Sequence, residues 1–306
     1  RKPEDRRRRV SNPTAVASQM TLLRVAGVPE HFNVICRRAA KKGAFTWREY
    51  PQGSGAMAAD LKSDSIDVAV MLTEALVAEA AKGAPFKLWG AYTATPLVWG
   101  VHVKTGRTSP PSRFAVSRFG SGSHIMALVD AKARNATPPE FVVVNTLEGA
   151  RTALGDGSAD AFMWEKFTTK YLVDSGEWQR IAEVPTPWPC FSVAVKDGAD
   201  LDLVDRVLRD VRAEAEALVA DPVAAVADVA ANYEQQRADV HQWLGTVRWC
   251  AKPQMPEATL QLVRRTLGDA GVLSSSAADA VVGDLVVPGV TRLDVSHLDS
   301  VGIAPS

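Results

Sequence analysis

The amino-acid sequence predicts an α/β fold of two lobes, joined by a double hinge crossover and followed by C-terminal helices. Three observations support this prediction. Strand-like and helical segments alternate in two successive regions, which is typical of parallel sheets covered by helices. Two extended segments, residues 97–103 and 185–195, connect these regions and form a hinge. From residue 202 onwards, apolar residues recur at helical spacing.

The first lobe is predicted to alternate from its first strand to its fourth. The strands are residues 22–28, 45–50, 66–72 and 88–92, and the helices between them are residues 34–42, 56–62 and 75–81. In such sheets, ligands bind beyond the carboxyl ends of the strands, and these ends meet at one edge. Polar residues near residues 30, 53, 73 and 93 are therefore expected to lie together.

The second lobe repeats the alternation. Its predicted strands are residues 114–116, 141–144, 159–164 and 178–184, and its helices are residues 123–131, 146–154 and 166–175. Later helices are predicted at residues 202–220, from residue 221, and at residues 232–244, 256–270 and 275–282. The predicted organisation is a basic tail (1–20), lobe I (21–97 with 191–306) and lobe II (98–190).

A polar turn in residues 116–131 links a strand of lobe II to an amphipathic helix. Gly120 and Gly122 allow a sharp turn and a close approach to a bound group. Ser121 or Ser123 can cap the helix, whose first N–H groups favour an anion. Arg118 and His124 lie in the same segment and can add positive charge. The alternative is an ordinary connection whose serines only cap the helix.

The amino-acid composition argues against several classes of function. Lys and Arg together number 35, as do Asp and Glu, so no global field attracts nucleic acid. No apolar run approaches the roughly 20 residues that span a membrane. The three cysteines are far apart and predict neither a disulfide framework nor a metal site. Four consecutive arginines, residues 6–9, are expected to belong to a solvated tail.

Three further segments carry a family resemblance. They are S-R-F-G-S-G-S (117–123), F-M-W-E-K-F-T-T-K (162–170) and P-T-P-W-P-C-F (185–191). Together they resemble the Ca3427-like proteins, which have the type-2 periplasmic-binding-protein fold of binding proteins for nitrate, sulfonates and thiamine-precursor pyrimidines. The likeness extends over about residues 22–245. It implies a cleft that closes on a small anionic or heteroaromatic ligand such as a sulfonate, a carboxylate or a thiamine-precursor pyrimidine.

The predicted cleft walls combine aromatic, acidic and anion-binding side chains from both lobes. The candidate ligand-binding residues are His31, Phe32, Ser54, Thr73, Glu74, Arg118, Gly120, Ser121, Gly122, Ser123, His124, Trp164, Glu165 and Trp188. Neither a catalytic residue nor a metal or other cofactor is predicted. Glu30 is expected to face solvent.

Several of these residues also have a purely structural interpretation. Trp164 and Trp188 can pack in the core or the hinge, and His31 can bond to the backbone. Glu74 and Glu165 can interact with the dipoles of the helices that follow them. The sequence leaves both interpretations open.

The leading function is a non-enzymatic binding protein, and the alternative is an enzyme of thiamine-pyrimidine biosynthesis on the same fold. The resembling synthase uses a lysine-bound pyridoxal phosphate and a cysteine-rich iron site. Here Lys166 and Lys170 lie on a predicted helix beyond the cleft, and no cysteine cluster occurs. The absence of an export signal predicts a cytoplasmic protein with no membrane insertion, and leaves a transporter partner undecided.

Overall fold

The computed structural model describes residues 22–279, 282–293 and 298–303. The predicted basic tail, residues 1–20, lies outside the described residues. The first region of the chain alternates between strand and helix as predicted. Its elements are β1 (Arg24–Gly27), α1 (Val34–Lys41), β2 (Thr46–Glu49), α2 (Ser54–Lys62), β3 (Val68–Leu72), α3 (Thr73–Ala81) and β4 (Phe86–Ala91).

The chain then forms a second set of strands and helices before it returns to the first. The second set comprises β5 (Val98–Lys104), β6 (Arg113–Val116), α4 (Gly122–Ala133), β7 (Glu140–Val143), α5 (Leu147–Asp156), β8 (Ala161–Glu165), α6 (Lys170–Asp174) and β9 (Trp178–Pro185). The returning strand is β10 (Phe191–Lys196).

Two five-stranded sheets result, with strand orders β2-β1-β3-β10-β4 and β7-β6-β8-β5-β9. We call the first sheet and its helices lobe I, and the second sheet and its helices lobe II. In each sheet the crossing strand, β10 or β5, is antiparallel to both neighbours. The predicted two-lobed fold with a double crossover is thereby confirmed.

The remaining elements follow β10. They are α7 (Leu201–Ala220), α8 (Pro222–Tyr233), α9 (Arg237–Thr246), β11 (Gln254–Pro256), α10 (Glu257–Asp269), α11 (Ser275–Asp279) and β12 (Thr291–Leu293). Helix α7 packs on α1, and α10 packs on α3, so both cover lobe I. The larger apolar core contains side chains of both lobes, which places the lobes in direct contact.

Two helices start later than predicted. The helix expected from residue 166 begins at Lys170, because the carboxylate of Glu165 accepts hydrogen bonds from the N–H groups of Phe167 and Thr168 and holds a turn there. The helix expected from residue 232 begins at Arg237, because Glu234 takes a left-handed conformation (φ 52°) that ends α8. Among the described helices, none combines the length and apolarity needed to cross a bilayer.

Candidate ligand-binding site between the lobes

A cavity of about 260 Å³ lies where the two lobes meet at the carboxyl ends of their strands. Both lobes and the crossing segments contribute to it. Its lining comprises Val28, Pro29, Glu30, Pro51, Gln52, Gly53, Ser54, Leu72, Ala75, Leu97, Trp99, Ser117, Arg118, Ser121, Gly122, Ser123, Leu147, Trp164, Glu165, Thr168 and Phe191. Seven of the fourteen predicted site residues are in this set: Ser54, Arg118, Ser121, Gly122, Ser123, Trp164 and Glu165.

The N-terminus of α4 forms one wall of the cavity. Ser121 is the N-cap, and its hydroxyl accepts a hydrogen bond from the N–H of His124. The hydroxyl of Ser123 lies 3.1 Å from that of Ser121 and accepts the N–H of Ser117. This cap leaves the helix dipole directed towards the cavity, where it favours a negative group.

Arg118 extends from this turn towards lobe I. A Cβ atom at Gly55 would lie 2.5 Å from the Arg118 guanidinium carbon, so the cation rests on the first turn of α2. Within the described residues, its guanidinium has neither a hydrogen bond nor an ion pair. Burial lowers the pKa of Arg118, with an opposing effect from Glu79. Glu79 itself is bonded to Lys62, so the Arg118 guanidinium is available to an anion.

A second helix start, that of α2, faces the same space from lobe I. Its N-cap is Gly53, which has a positive φ of 77° and no side chain to cap the helix. The hydroxyl of Ser54 accepts a hydrogen bond from the N–H of Leu72, which ties the helix start to the end of β3. Two helix N-termini and one guanidinium therefore surround a region suited to an anion.

Glu165 lies at the end of β8 and is only 3% exposed. Its Oε2 accepts the N–H groups of Phe167 (2.9 Å) and Thr168 (2.7 Å) and the Thr168 hydroxyl (2.9 Å). Burial raises the pKa of Glu165, and these hydrogen bonds partly offset the increase. Its other oxygen, Oε1, accepts no hydrogen bond from the described residues.

Glu30 also lines the cavity, which contradicts the expectation that it faces solvent. It follows β1 and is half-buried. Desolvation, together with the nearby charge of Glu165, raises the pKa of Glu30 to about 8. The position of Glu30, three residues beyond the carboxyl end of a parallel strand, was the signal that could have identified it.

Aromatic rings supply most of the remaining wall. The ring of Trp164 stacks on that of Phe162, with 5.4 Å between the ring centroids. It also makes an edge-to-face contact with Trp99, with 6.4 Å between the centroids. Trp99, on the crossing strand β5, was not predicted. Its position at the cavity depends on the pairing of β5 with β8, which opposes Trp99 to Glu165. Such a wall suits the apolar part of a compact ligand.

Two predicted residues of the β1–α1 connection lie outside the cavity lining. His31 is fully buried, and its Nδ1 lies 3.1 Å from the amide nitrogen of Gln235. Burial lowers the pKa of His31 to about 3, so its ring is neutral. Phe32 packs among Phe191 and Trp243 in the core.

Three further predicted residues support the hinge instead. The Thr73 hydroxyl donates to the carbonyl of Pro189 on the return crossing. The indole N–H of Trp188 donates to Oε2 of Glu74 at 2.9 Å, and both side chains are buried. Burial raises the pKa of Glu74 to about 7. The structure therefore places these residues behind the β3–α3 connection rather than in the cavity lining.

The last two predicted residues shape the turn itself. Gly120 has a φ of 76°, in the left-handed region that favours glycine. Its N–H donates to Nδ1 of His124 at 3.1 Å, and the His124 ring packs against Phe141. Neither residue lines the cavity. Among the described residues, no group of three or more His, Cys, Asp or Glu side chains is arranged to hold a metal.

Comparison with known proteins agrees with this architecture. The model of the Ca3427-like periplasmic-binding-protein family matches residues 101–184. The solved structure of the Candida albicans CA3427 product, described as having the generic periplasmic-binding-protein fold, superposes with a TM-score of 0.81 at 26% identity. This superposition covers 90% of this chain and 98% of that one.

The resemblance to the Ca3427-like proteins is confirmed. The alkanesulfonate-binding protein SsuA from Xanthomonas axonopodis pv. citri, bound to MOPS, has a TM-score of 0.70 at 16% identity over 90% of this chain and 100% of that one. The aliphatic sulphonate binding protein SsuA from Escherichia coli has a TM-score of 0.68 at 13% identity over 91% and 96%. No curated protein matches the chain. These superpositions show that the chain has the periplasmic-binding-protein fold.

Proposed function

We propose that this protein is a non-enzymatic solute-binding protein whose lobes close on a compact anion. The observation that carries the proposal is Arg118, a partly buried guanidinium in the cavity wall without an ion-pair partner among the described residues. Partial burial of a charge without an ion-pair partner is costly, and a bound carboxylate or sulfonate relieves that cost through charge-assisted hydrogen bonds.

The geometry around Arg118 adds to this support. The N-termini of α2 and α4 approach the cavity from opposite lobes, and each favours negative charge. Gly122, the first residue of α4, is close enough to lobe I that a Cβ atom there would lie 2.9 Å from Cδ1 of Leu72. Closure of the lobes therefore brings both helix starts and the guanidinium around one ligand group.

Sulfonates are the first ligand class that we propose, because two solved neighbours are described as sulfonate-binding proteins. Small carboxylates and thiamine-precursor pyrimidines remain further candidates from the sequence. A cytoplasmic location and the enzyme of thiamine-pyrimidine biosynthesis also remain predictions.

A thermal-shift screen of the purified protein tests the proposal. The compounds are ethanesulfonate, taurine, MOPS, propionate, nitrate, pyridoxal phosphate and 4-amino-5-hydroxymethyl-2-methylpyrimidine. A ligand at a hundredfold excess over its Kd stabilises the folded state by about 2.7 kcal/mol. We expect a sulfonate or carboxylate to raise the Tm and to be recovered unchanged.

Arg118→Met should abolish that shift, whereas Arg134→Met should retain it. Arg134 is a matched control because it follows α4 and pairs with Asp130 at the surface. Consumption of the compound would favour the enzyme. Unchanged binding by Arg118→Met, or stabilisation by no anion, would contradict the proposal.

A further inference from the structure

The charged residues of the cavity lining are one base, Arg118, and two acids, Glu30 and Glu165. An anion would satisfy only the base. We infer that the ligand also carries a protonated amine, which binds between the carboxylates of Glu30 and Glu165. This inference rests on the proposed function and specifies its ligand as a compact amino-sulfonate or amino-carboxylate.

Glu165 provides one acceptor. All three local donors, two N–H groups and one hydroxyl, bond to its Oε2. Its Oε1 is left without a partner among the described residues, although the side chain is 97% buried from solvent and lines the cavity. Oε1 is not among the fully buried unpaired oxygens, so it is open to the cavity and can accept a hydrogen bond from a ligand there.

Glu30 provides a second acceptor from the opposite lobe. It precedes the 3-10 turn at His31, but its carboxylate does not cap that turn. Its side chain forms no hydrogen bond or ion pair within the described residues. The backbone on either side is held by hydrogen bonds from the Glu30 N–H to the Val28 carbonyl and from the Asn33 N–H to the Glu30 carbonyl. The acid is therefore positioned by its backbone and free to bind a ligand.

Apart from Arg118, which the proposed anion would engage, the cations near the acid pair in the described part of the chain already have partners. Arg180, which acts on Glu165 through its charge, bonds to Glu183 and to the carbonyl of Lys166. The Lys166 ammonium pairs with Glu183 at 3.0 Å. Lys170, which lines a neighbouring cavity with Glu30, pairs with Asp174 and Asp239. With Arg118 engaged by the anion, the ligand itself supplies the cation for the acid pair.

An ammonium group suits this position. It offers three donors, which exceeds the number that one carboxylate oxygen can accept and matches two acids that approach from different lobes. Burial raises the pKa of both acids, and the charge of Glu165 adds to the increase at Glu30, so an ammonium group between them would oppose both shifts. A ligand with an anion at one end and an ammonium at the other would join Arg118 to the acid pair across the cavity.

Isothermal titration with taurine and ethanesulfonate tests the inference, since these two sulfonates differ by one ammonium group. We expect taurine to bind the unmodified protein at least about tenfold more tightly. Glu165→Gln and Glu30→Gln should each reduce that advantage to below about threefold. Glu216→Gln should leave it unchanged, because Glu216 is an exposed residue of α7 that pairs with Arg212.

The outcomes distinguish this inference from the proposed function. Equal affinity for the two sulfonates would overturn the inference and leave the anion site intact. A taurine advantage that persists in both Gln variants would also overturn it, because the ammonium would then bind elsewhere. Binding of neither sulfonate would contradict the proposed function for this ligand class and the inference with it. If the Glu165→Gln variant fails to fold, the Glu30→Gln variant alone tests the inference.

Discussion

The β1–α1 and β6–α4 connections occupy equivalent positions in the two lobes. Strand β1 lies between β2 and β3, as β6 lies between β7 and β8, and both are parallel to their neighbours. Each connection ends at the shared cavity. Their side chains differ, however, because lobe I contributes the acid Glu30 and lobe II contributes the base Arg118.

The two connections also differ in whether a side chain caps the helix that follows. In lobe I a 3-10 turn, His31–Asn33, precedes α1. The side chain of Glu30 does not cap this turn, and the side chain of Asn33 does not cap α1. In lobe II the Ser121 hydroxyl caps α4. Equivalent connections thus contribute an acid from lobe I and a base from lobe II, beside Glu165 from β8 of lobe II. In the proposed site, the fold determines the position of the cavity, and a few side chains determine which ligand groups it favours.

Removal of the base should give the largest effect. Arg118→Met is expected to weaken ethanesulfonate binding about a hundredfold, because loss of one partner of a buried charge pair costs about 3 kcal/mol. Titration calorimetry measures the change, and Arg134→Met should bind as the unmodified protein does. Unchanged ethanesulfonate affinity in Arg118→Met would contradict the assignment of the anion site to lobe II.

A side chain introduced at the start of α4 should reduce ligand affinity by a smaller but measurable factor. A Cβ atom at Gly122 would lie 2.7 Å from Cη2 of Trp99 and 2.9 Å from Cδ1 of Leu72. Gly122→Val should therefore hold the lobes apart and weaken binding about tenfold or more, with far-UV circular dichroism unchanged. Gly155→Ala is the control, because a Cβ atom at Gly155 meets open space. Full affinity in Gly122→Val would show that this contact does not limit closure.

The pH dependence of binding should differ between the two probe ligands. Because the pKa of Glu30 is raised to about 8, its carboxyl ionises as the pH increases towards that value. Taurine affinity should therefore rise about tenfold from about pH 6.5 to about pH 8, whereas ethanesulfonate affinity should fall as negative charge accumulates beside Glu165. Glu30→Gln should flatten both profiles. Parallel profiles for the two ligands would exclude Glu30 from the amine site.

The smallest expected effect concerns folding stability and arises at Glu74, behind the cavity. Burial raises its pKa to about 7, so the native state retains a proton that the unfolded state loses near its ordinary pKa of 4.5. Stability from this group therefore falls as the pH rises from about 4.5 to about 7.

Glu74→Gln should remove this loss while keeping an acceptor for the indole of Trp188. Relative to the unmodified protein, the variant should gain about 1 kcal/mol, or about 2 to 4 °C in Tm, between about pH 6 and about pH 8. Glu79→Gln on the same helix is the control. A pH-independent difference would show that Glu74 does not titrate in this range.

Local signals made the fold and the α4 turn predictable. The serines and glycines of residues 117–123 define a cap and a sharp turn within seven residues, and the alternation of elements predicted both sheets. Long-range packing decided the rest. The role of Glu74 depends on Trp188, which is 114 residues away in the chain. Glu30 and Trp99 reach the cavity only because the two lobes pack together, which brings the end of β1 and the start of β5 to the same place.

The reciprocal contacts at Gly55 and Gly122 have a kinetic consequence. Each glycine is covered by a side chain of the opposite lobe, Arg118 in one case and Leu72 in the other. In the proposed closure, a bound molecule leaves only after both contacts separate, whereas entry requires only that the lobes are already apart. Residence time, rather than the rate of capture, is therefore where differences in affinity among related ligands should appear.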